Sequence, residues 1–345
     1  MTLAFALAGL GGFNAHGAGF LQAARDSDVR PDLVTATSGQ IVVLAAYLAG
    51  KPDLKKDLID PALKDDKFAQ LRTLLFGYRG VFEPATAEAW ARLVTPPWFG
   101  TDISFYADKL LPAQVYKPTR SDEVIDGIVD SFNHSEIGVV FNAYDPVAGT
   151  GRLFGNKRAR ALLPEESNVP VLHEQYSSDP RLGHQGPREE AILPIDAEAV
   201  KAALWLSLYG FAGMPMGLID GAYHRSCIVS ELHTCDDLFV CRPLAKGWGK
   251  EGLPRSYFDV QDWNTEMWFS VGYKAEIDAM KRINSLIRDG RIRDERMKAV
   301  DIREIEPETP AGYFNYFIER EAVFQRAYDA AMPKFAAYKT GRAAS

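Results

Sequence analysis

Short apolar runs alternate with helix-like stretches at the start of the chain. Residues 3–8 are continuously apolar, which is typical of a strand covered on both faces of a sheet. A glycine-rich stretch and a short helical pattern follow at 9–25, and residues 32–36 repeat the strand pattern. Residues 40–49 are almost wholly apolar and predict a buried helix. Two strands joined through a helix predict a βαβ unit with parallel strands.

The middle of the chain mixes strand, helix and loop patterns. Residues 51–124 are charged and then aromatic, and predict helices and loops. Residues 137–154 predict a strand, a turn and a second strand. The polar stretch 164–194 predicts a surface loop, residues 199–209 a helix, and residues 238–241 another buried strand.

The C-terminal part carries helical periodicity. Helices are predicted at 266–287 and 319–332, the second ended by Pro333. The whole pattern predicts an α/β fold, a three-layer sandwich with a mostly parallel central sheet. We expect a main body over residues 1–262 and a helix-rich C-terminal extension over 263–345 packed on it.

Composition and charge exclude several classes of protein. The 345 residues are 47% hydrophobic and 25% charged, as in ordinary globular proteins. The formal net charge of −7 lacks the basic footprint that nucleic-acid binding requires, so no nucleic-acid partner is expected. Peripheral contact with a membrane is left open, and a local basic stretch at 281–296 is interrupted by acidic residues and favours a solvated helix face. The sequence does not indicate an oligomeric state.

Cysteine content and hydropathy favour a cytoplasmic protein. The three cysteines are too few for a disulfide framework, and no apolar run reaches the roughly 18–20 residues that span a bilayer. The N-terminus lacks a basic region ahead of its apolar run, so no secretory signal is expected, although secretion by another route stays open.

One cluster of metal-binding residue types needs an interpretation. Its members are His224, Cys227, His233, Cys235 and Cys241. No Cys-x2-Cys or His-x3-His spacing occurs among them, so small buried cysteines are favoured over a zinc site. No metal and no organic cofactor is expected.

Ser38 is the first candidate for chemistry. It follows a predicted strand, precedes a predicted helix and lies between Ala36 and Gly39. This is the setting of a nucleophile elbow, in which a strained turn exposes a serine hydroxyl at a helix N-terminus. A serine that only caps the helix is the structural alternative.

The glycine-rich stretch could supply an oxyanion hole beside Ser38. The backbone amides of Gly11, Gly12 and Phe13 are the candidate donors, since close approach to an oxyanion favours positions without a side chain. Dinucleotide binding is the competing interpretation. It is disfavoured because Asn14 stands where the third glycine of the Gly-x-Gly-x-x-Gly fingerprint belongs.

Four motifs in order resemble the patatin-like phospholipase family, whose members use a Ser-Asp dyad without histidine. They are the glycine-rich loop at 9–19, Ala-Thr-Ser-Gly at 36–39, Ala-Tyr-Asp-Pro-Val-Ala-Gly at 143–149 and Asp-Gly-Ala at 220–222. The resemblance implies a patatin-like catalytic domain over 1–262. It also implies that Ser38 is the nucleophile and Asp220 its general base in hydrolysis of a lipid or other acyl ester.

Aromatic and apolar residues are candidates for binding the acyl chain, with ordinary core packing as the alternative for each. They are Trp98, Phe99, Trp205, Leu206 and Tyr209. The chain departs from the family at Ala36 and Gln40, which replace elbow glycines, and its loop lacks the family's basic residue before glycine. A second hypothesis is therefore a catalytically impaired module of this family that binds lipid or protein.

Overall fold

A computed structural model describes residues 1–9, 15–58, 77, 81–94, 106, 114–163, 192–242, 248, 252–293, 298–306 and 320–343. The strands are β1 (Leu3–Leu7), β2 (Leu33–Ala36), β3 (Phe82–Pro84), β4 (Tyr116–Pro118), β5 (Gly138–Asp145), β6 (Thr150–Gly155), β7 (Ile192–Leu193), β8 (Ile219–Asp220), β9 (Asp237–Cys241) and β10 (Asp301–Ile305). The helices are α1 (Ala15–Asp26), α2 (Gln40–Leu48), α3 (Leu54–Leu58), α4 (Thr86–Val94), α5 (Asp122–Asn133), α6 (Lys157–Leu162), α7 (Ala197–Ala203), α8 (Tyr257–Arg288) and α9 (Arg320–Ala343).

The central sheet is mostly parallel. Its strand order is β10-β9-β1-β2-β5-β6-β7, with β8 paired to β5 outside this path. The five strands from β10 to β5 run parallel, whereas β6 and β8 are antiparallel to β5. β3 and β4 form a separate two-stranded antiparallel sheet. The predicted βαβ unit is therefore confirmed as β1, α1 and β2.

Alternate residues of the buried strands pack into two different cores, one on each face of the sheet. Leu3, Phe5 and Leu7 of β1 belong to a core shared with α1, α2, α5, α7 and α9. Ala4 and Ala6 belong to a second core that includes residues of α6 and α8. Because each face is covered by helices, β1 is apolar throughout. The mixed α/β fold with a mostly parallel central sheet is confirmed.

The chain beyond residue 262 contributes to the same sheet and the same cores. α8 spans Tyr257–Arg288, so it crosses the expected boundary, and it begins with a capping box between Ser256 and Asp259. β10 is the edge strand beside β9. The helix α9 packs against α1, whose Gly19 leaves no room for a side chain against the Phe324 backbone of α9.

The prediction that Pro333 ends the last helix is wrong. α9 continues to Ala343, although Pro333 has no N–H to donate within the helix. The residues that follow explain this: Phe335 is completely buried, with its ring centroid 4.8 Å from that of Phe239 and 5.7 Å from that of Phe5. Burial of Phe335 and Tyr338 stabilises the second half of the helix against the local cost of the proline.

Other boundaries also differ from the sequence prediction. The helix expected at 199–209 ends at Ala203, and a separate 3-10 turn follows at Ser207–Tyr209. Most of the expected surface loop, residues 164–191, lies outside the described residues. Within the described part of the chain, no helix combines the length and apolar character needed to cross a membrane.

Candidate active site

Ser38 occupies a strained turn between β2 and α2. Its backbone φ is 59°, in the left-handed region. This conformation costs a residue with a side chain roughly 1–2 kcal/mol relative to the right-handed region. The Ile41 N–H donates to the Ser38 carbonyl over 3.0 Å, which starts α2 directly after the turn. The geometry is that of a nucleophile elbow, with the hydroxyl at the N-terminal end of a buried helix.

The end of β1 approaches this elbow closely at Gly9. A Cβ on Gly9 would lie 2.7 Å from the Thr37 carbonyl oxygen and 2.9 Å from the Ser38 Cβ. Glycine is therefore required at this position for the two segments to meet. The Gly9 N–H donates to the Ser226 carbonyl over 2.7 Å, so it holds the backbone at the site.

Asp220 reaches the elbow because β8 continues the edge of β5 where β2 has ended. β2 pairs with β5 up to Ala36, opposite Phe141. Two residues further along β5, Ala143 pairs with Asp220. The opposite edge of β5 is occupied by β6 over this stretch, so β2 and β8 share one edge. The turn that carries Ser38 and the last residue of β8 are thereby neighbours, although they are 182 positions apart in the chain.

The Ser38 hydroxyl donates a hydrogen bond to the Asp220 carboxylate. The distance from Ser38 Oγ to Asp220 Oδ2 is 2.5 Å. The other carboxylate oxygen, Oδ1, accepts from the Ala222 N–H over 2.9 Å. Both side chains are 2% exposed. The structure therefore brings together the two residues expected to form the dyad, and among the described residues no histidine hydrogen-bonds to either.

Burial changes the ionisation of Asp220. Loss of hydration raises its pKa to about 7 against the lowering effects of the Ser38 hydroxyl, the Ala222 N–H and the Arg120 guanidinium. A carboxylate that titrates near neutral pH is a far better base than one with an ordinary pKa of about 3.9. Asp220 can accordingly take a proton from a hydroxyl and return it near pH 7.

Polar residues around Asp220 were not found from the sequence. Arg120, which precedes α5, contributes a positive charge that lowers the pKa of Asp220. Tyr223 follows Asp220 in the next turn, and its hydroxyl accepts from the Ser207 N–H over 2.9 Å. Asn142 lies beside Ala143 in β5 and is 2% exposed. One signal could have indicated Asn142, because it is a polar residue within an otherwise apolar strand pattern.

Gln40, two residues after Ser38, is accommodated by Gly17 of α1. Its side chain is completely buried, and a Cβ on Gly17 of α1 would lie only 1.8 Å from Gln40 Oε1. The Gln40 carboxamide nitrogen is 2.8 Å from His16 Nε2, and that ring nitrogen is 2.8 Å from the Ala8 carbonyl oxygen. Burial lowers the pKa of His16 to about 3, so the imidazole is neutral. These contacts tie the end of β1 and the start of α1 to the residue after the elbow.

Three of the residues predicted to bind the acyl chain lie in the segment that leads to β8. The Trp205 carbonyl accepts the Asp220 N–H over 2.9 Å, and the Trp205 ring N–H donates to the Gly210 carbonyl over 2.8 Å. The Tyr209 ring packs edge-on against Trp205 and is 1% exposed, while Leu206 is half-buried. In the structure the Trp205 backbone therefore holds the backbone of Asp220, and Tyr209 packs against the Trp205 ring. The role of these residues in binding substrate stays a prediction.

Several predicted site residues lie outside the described residues. They are Gly11, Gly12 and Phe13 of the expected oxyanion hole, and Trp98 and Phe99 of the expected acyl-binding surface. Of the alternative metal cluster, Cys227, Cys235 and Cys241 are buried free thiols. Among the residues with described positions, no group of three or more His, Cys, Asp or Glu side chains could hold a metal ion.

Comparisons with protein-family models and with curated proteins gave no match to this chain. The functional assignment therefore depends on the geometry of the site and on the motifs quoted above.

Proposed function

We propose that this protein is a serine acyl-ester hydrolase that acts on lipids, of the phospholipase A, lysophospholipase or esterase type. Ser38 is the nucleophile and Asp220 is the general base. The observation that carries the proposal is the 2.5 Å hydrogen bond from a serine hydroxyl at a strained strand-to-helix turn to a buried carboxylate. A strained turn or a serine–carboxylate hydrogen bond has a structural explanation when it occurs alone. Backbone strain at a serine that also donates to a buried carboxylate is typical of a nucleophile.

The reaction takes place in two acyl-transfer steps. As Ser38 Oγ attacks the ester carbonyl carbon, its proton moves to Asp220 Oδ2. The tetrahedral intermediate collapses with cleavage of the bond to the leaving alkoxide, which takes the proton from Asp220 and departs as the alcohol. Water then attacks the acyl-serine, Asp220 accepts its proton, and the acid leaves as Ser38 Oγ regains a proton.

Two features favour the developing oxyanion. The N-terminus of α2 follows the elbow directly, where the helix dipole stabilises negative charge. The family resemblance adds the amides of Gly11, Gly12 and Phe13. Arg120 places a positive charge near enough to Asp220 to lower its pKa.

Reaction with a fluorophosphonate probe tests the nucleophile. We expect folded wild-type protein to be labelled, Ser38→Ala to be unlabelled, and Asp220→Asn to be labelled far more slowly, since it keeps the hydroxyl but lacks the base. A series of p-nitrophenyl esters of increasing chain length, followed by lysophospholipid and phospholipid, then defines the substrate. Folded wild-type protein that is neither labelled nor active, yet binds fatty acid or vesicles, would instead support the hypothesis of a non-catalytic binding module.

The pH dependence of kcat/KM tests the base. Because the pKa of Asp220 is about 7 and the ionised form is required, activity on a neutral ester should rise with a single ionisation through about pH 7 and level off above it. Activity that is already maximal at about pH 5 would contradict a buried, raised Asp220 as the base.

A further inference from the structure

Asn142 binds the turn that immediately follows Asp220. Its side-chain amide donates to the Gly221 carbonyl over 3.2 Å and to the Arg225 carbonyl over 2.9 Å. Asn142 and Ala143 are consecutive in β5, so they point to opposite faces of the sheet while Ala143 pairs with Asp220. One short stretch of β5 thus fixes both the strand that ends in Asp220 and the turn that leaves it.

Gly221 lies directly against the Asn142 amide. A Cβ on Gly221 would come within 2.3 Å of Asn142 Cγ. The same Gly221 carbonyl also accepts from the N–H groups of His224 and Arg225, over 3.0 and 2.8 Å. The 221–225 turn is therefore closed on itself and attached to β5 through one buried side chain.

The closed turn determines where the carboxylate points. Asp220 Oδ1 accepts from the Ala222 N–H, which belongs to this turn, and Oδ2 is left to accept from Ser38. A change in the turn would move the Ala222 N–H and rotate the carboxylate away from the hydroxyl. We propose that Asn142 is a positioning residue that holds the Asp220 carboxylate toward Ser38; this role rests on the proposed function.

Loss of positioning should appear in the chemical step. A displacement of a catalytic group by about 1 Å can lower the rate by about 10²-fold. Substrate binding depends on other residues, so we expect Asn142→Leu to lower kcat by about that factor with KM unchanged. The rate of fluorophosphonate labelling at Ser38 should fall in parallel.

Asn284 offers a matched control. It is 4% exposed, donates to the Val300 carbonyl over 2.8 Å and accepts from the Val300 N–H over 3.0 Å. Asn284→Leu therefore also removes two buried hydrogen bonds, but near the C-terminal end of α8 beside the edge strand β10, which three strands separate from β5. We expect it to lower the melting temperature as Asn142→Leu does and to leave kcat of the folded protein unchanged. If Asn142→Leu does not fold, Asn142→Asp replaces it in the same measurements. This variant keeps the side-chain volume and replaces the amide donor with an acceptor, so both hydrogen bonds are still lost.

The experiment measures kcat and KM on a soluble p-nitrophenyl ester, the melting temperature, and the Ser38 Oγ to Asp220 Oδ2 distance in crystals of wild type and both variants. Support requires that Asn142→Leu lengthens this distance beyond hydrogen-bond range and lowers kcat, while Asn284→Leu does neither. An unchanged distance, or equal loss of kcat in the two variants, overturns the proposal. Wild-type protein without ester hydrolysis or labelling refutes the proposed function instead, and the distances then still decide whether Asn142 positions the carboxylate.

Discussion

Replacing Asp220 with asparagine should abolish activity and, at neutral pH, make the protein more stable. The substitution keeps the shape of the side chain and removes a charge that is buried at 2% exposure. A buried carboxylate without a full set of donors favours its protonated form, and at higher pH the fold must hold the charged form at a cost in free energy. The carboxylate that we propose as the base is therefore a source of instability.

The raised pKa of Asp220 sets the size of the effect. Its pKa rises from 3.8 to about 7 on folding, so the folded protein binds this proton more tightly than the unfolded chain does. The contribution of Asp220 to the free energy of unfolding therefore falls as the pH increases from about 4 to about 7, by about 1.36 kcal/mol per unit, and is constant at higher pH. The total is roughly 4 kcal/mol, of which roughly 3 kcal/mol develops between about pH 5 and about pH 8.

His16 has the opposite pH dependence across an overlapping window. Burial lowers its pKa from 6.5 to about 3, so the unfolded chain takes up this proton first and stability is lost as the pH falls below 6.5. The effects of Asp220 and His16 on the free energy of unfolding therefore partly cancel when the stability of wild type is measured against pH. The contribution of Asp220 is therefore visible as a difference between variants that share His16.

Urea unfolding of wild type, Asp220→Asn and Ser38→Ala at several pH values measures this difference. The advantage of Asp220→Asn over wild type should grow by roughly 3 kcal/mol from about pH 5 to about pH 8. Ser38→Ala should be equally inactive, but it keeps the Asp220 carboxylate. It also loses the hydrogen bond that lowers the pKa of Asp220. Its free energy of unfolding should therefore fall with increasing pH at least as far as that of wild type. A stability difference between Asp220→Asn and wild type that does not vary with pH would refute the reasoning.

Two further predictions concern the elbow and its surroundings. Ser38→Gly should be more stable than Ser38→Ala by roughly 1–2 kcal/mol. Both variants lack the hydroxyl, but only glycine adopts the positive φ of this position without strain. Equal unfolding midpoints of the two variants would argue against strain at the elbow. Gly17→Ala should destabilise the protein by about 1–3 kcal/mol, because the added methyl group overlaps the Gln40 side chain. In a Gln40→Ala background the same substitution should have little effect on stability. A double-mutant cycle of thermal or urea unfolding measures this coupling. Additive effects of the two substitutions would contradict direct contact between residue 17 and the Gln40 side chain.

Much of the fold was predictable because the strands of the main sheet are covered on both faces. The continuous apolar run of β1 and the largely apolar β2 and β9 follow from that burial, and the first βαβ unit was predictable because its elements are close in sequence. The position of Ser38 in a strand-to-helix turn followed from the same local pattern. The predicted last helix was too short because the sequence shows only the local effect of Pro333. The burial of Phe335, which outweighs that effect, is a tertiary contact that the local sequence does not show.

The contacts that hold Ser38 and Asp220 in position could not be predicted from local sequence patterns. The contact of Gln40 with Gly17 joins two helices, and the two bonds donated by Asn142 join a strand to a turn 79 and 83 positions away. Nothing in the local pattern around either residue specifies its partner. The pairing of Ser38 with Asp220 was suggested by the order of family motifs rather than by any local signal.

The strand that ends in Asp220 contributes only two paired positions to the sheet. Local opening requires far less free energy than global unfolding where few backbone contacts hold a segment in place. The distance between Ser38 and Asp220 thus depends on two paired positions of β8 and on the contacts that Trp205 and Asn142 make with this segment. Opening of β8 alone would separate the two side chains while the surrounding sheet and its two cores stay folded.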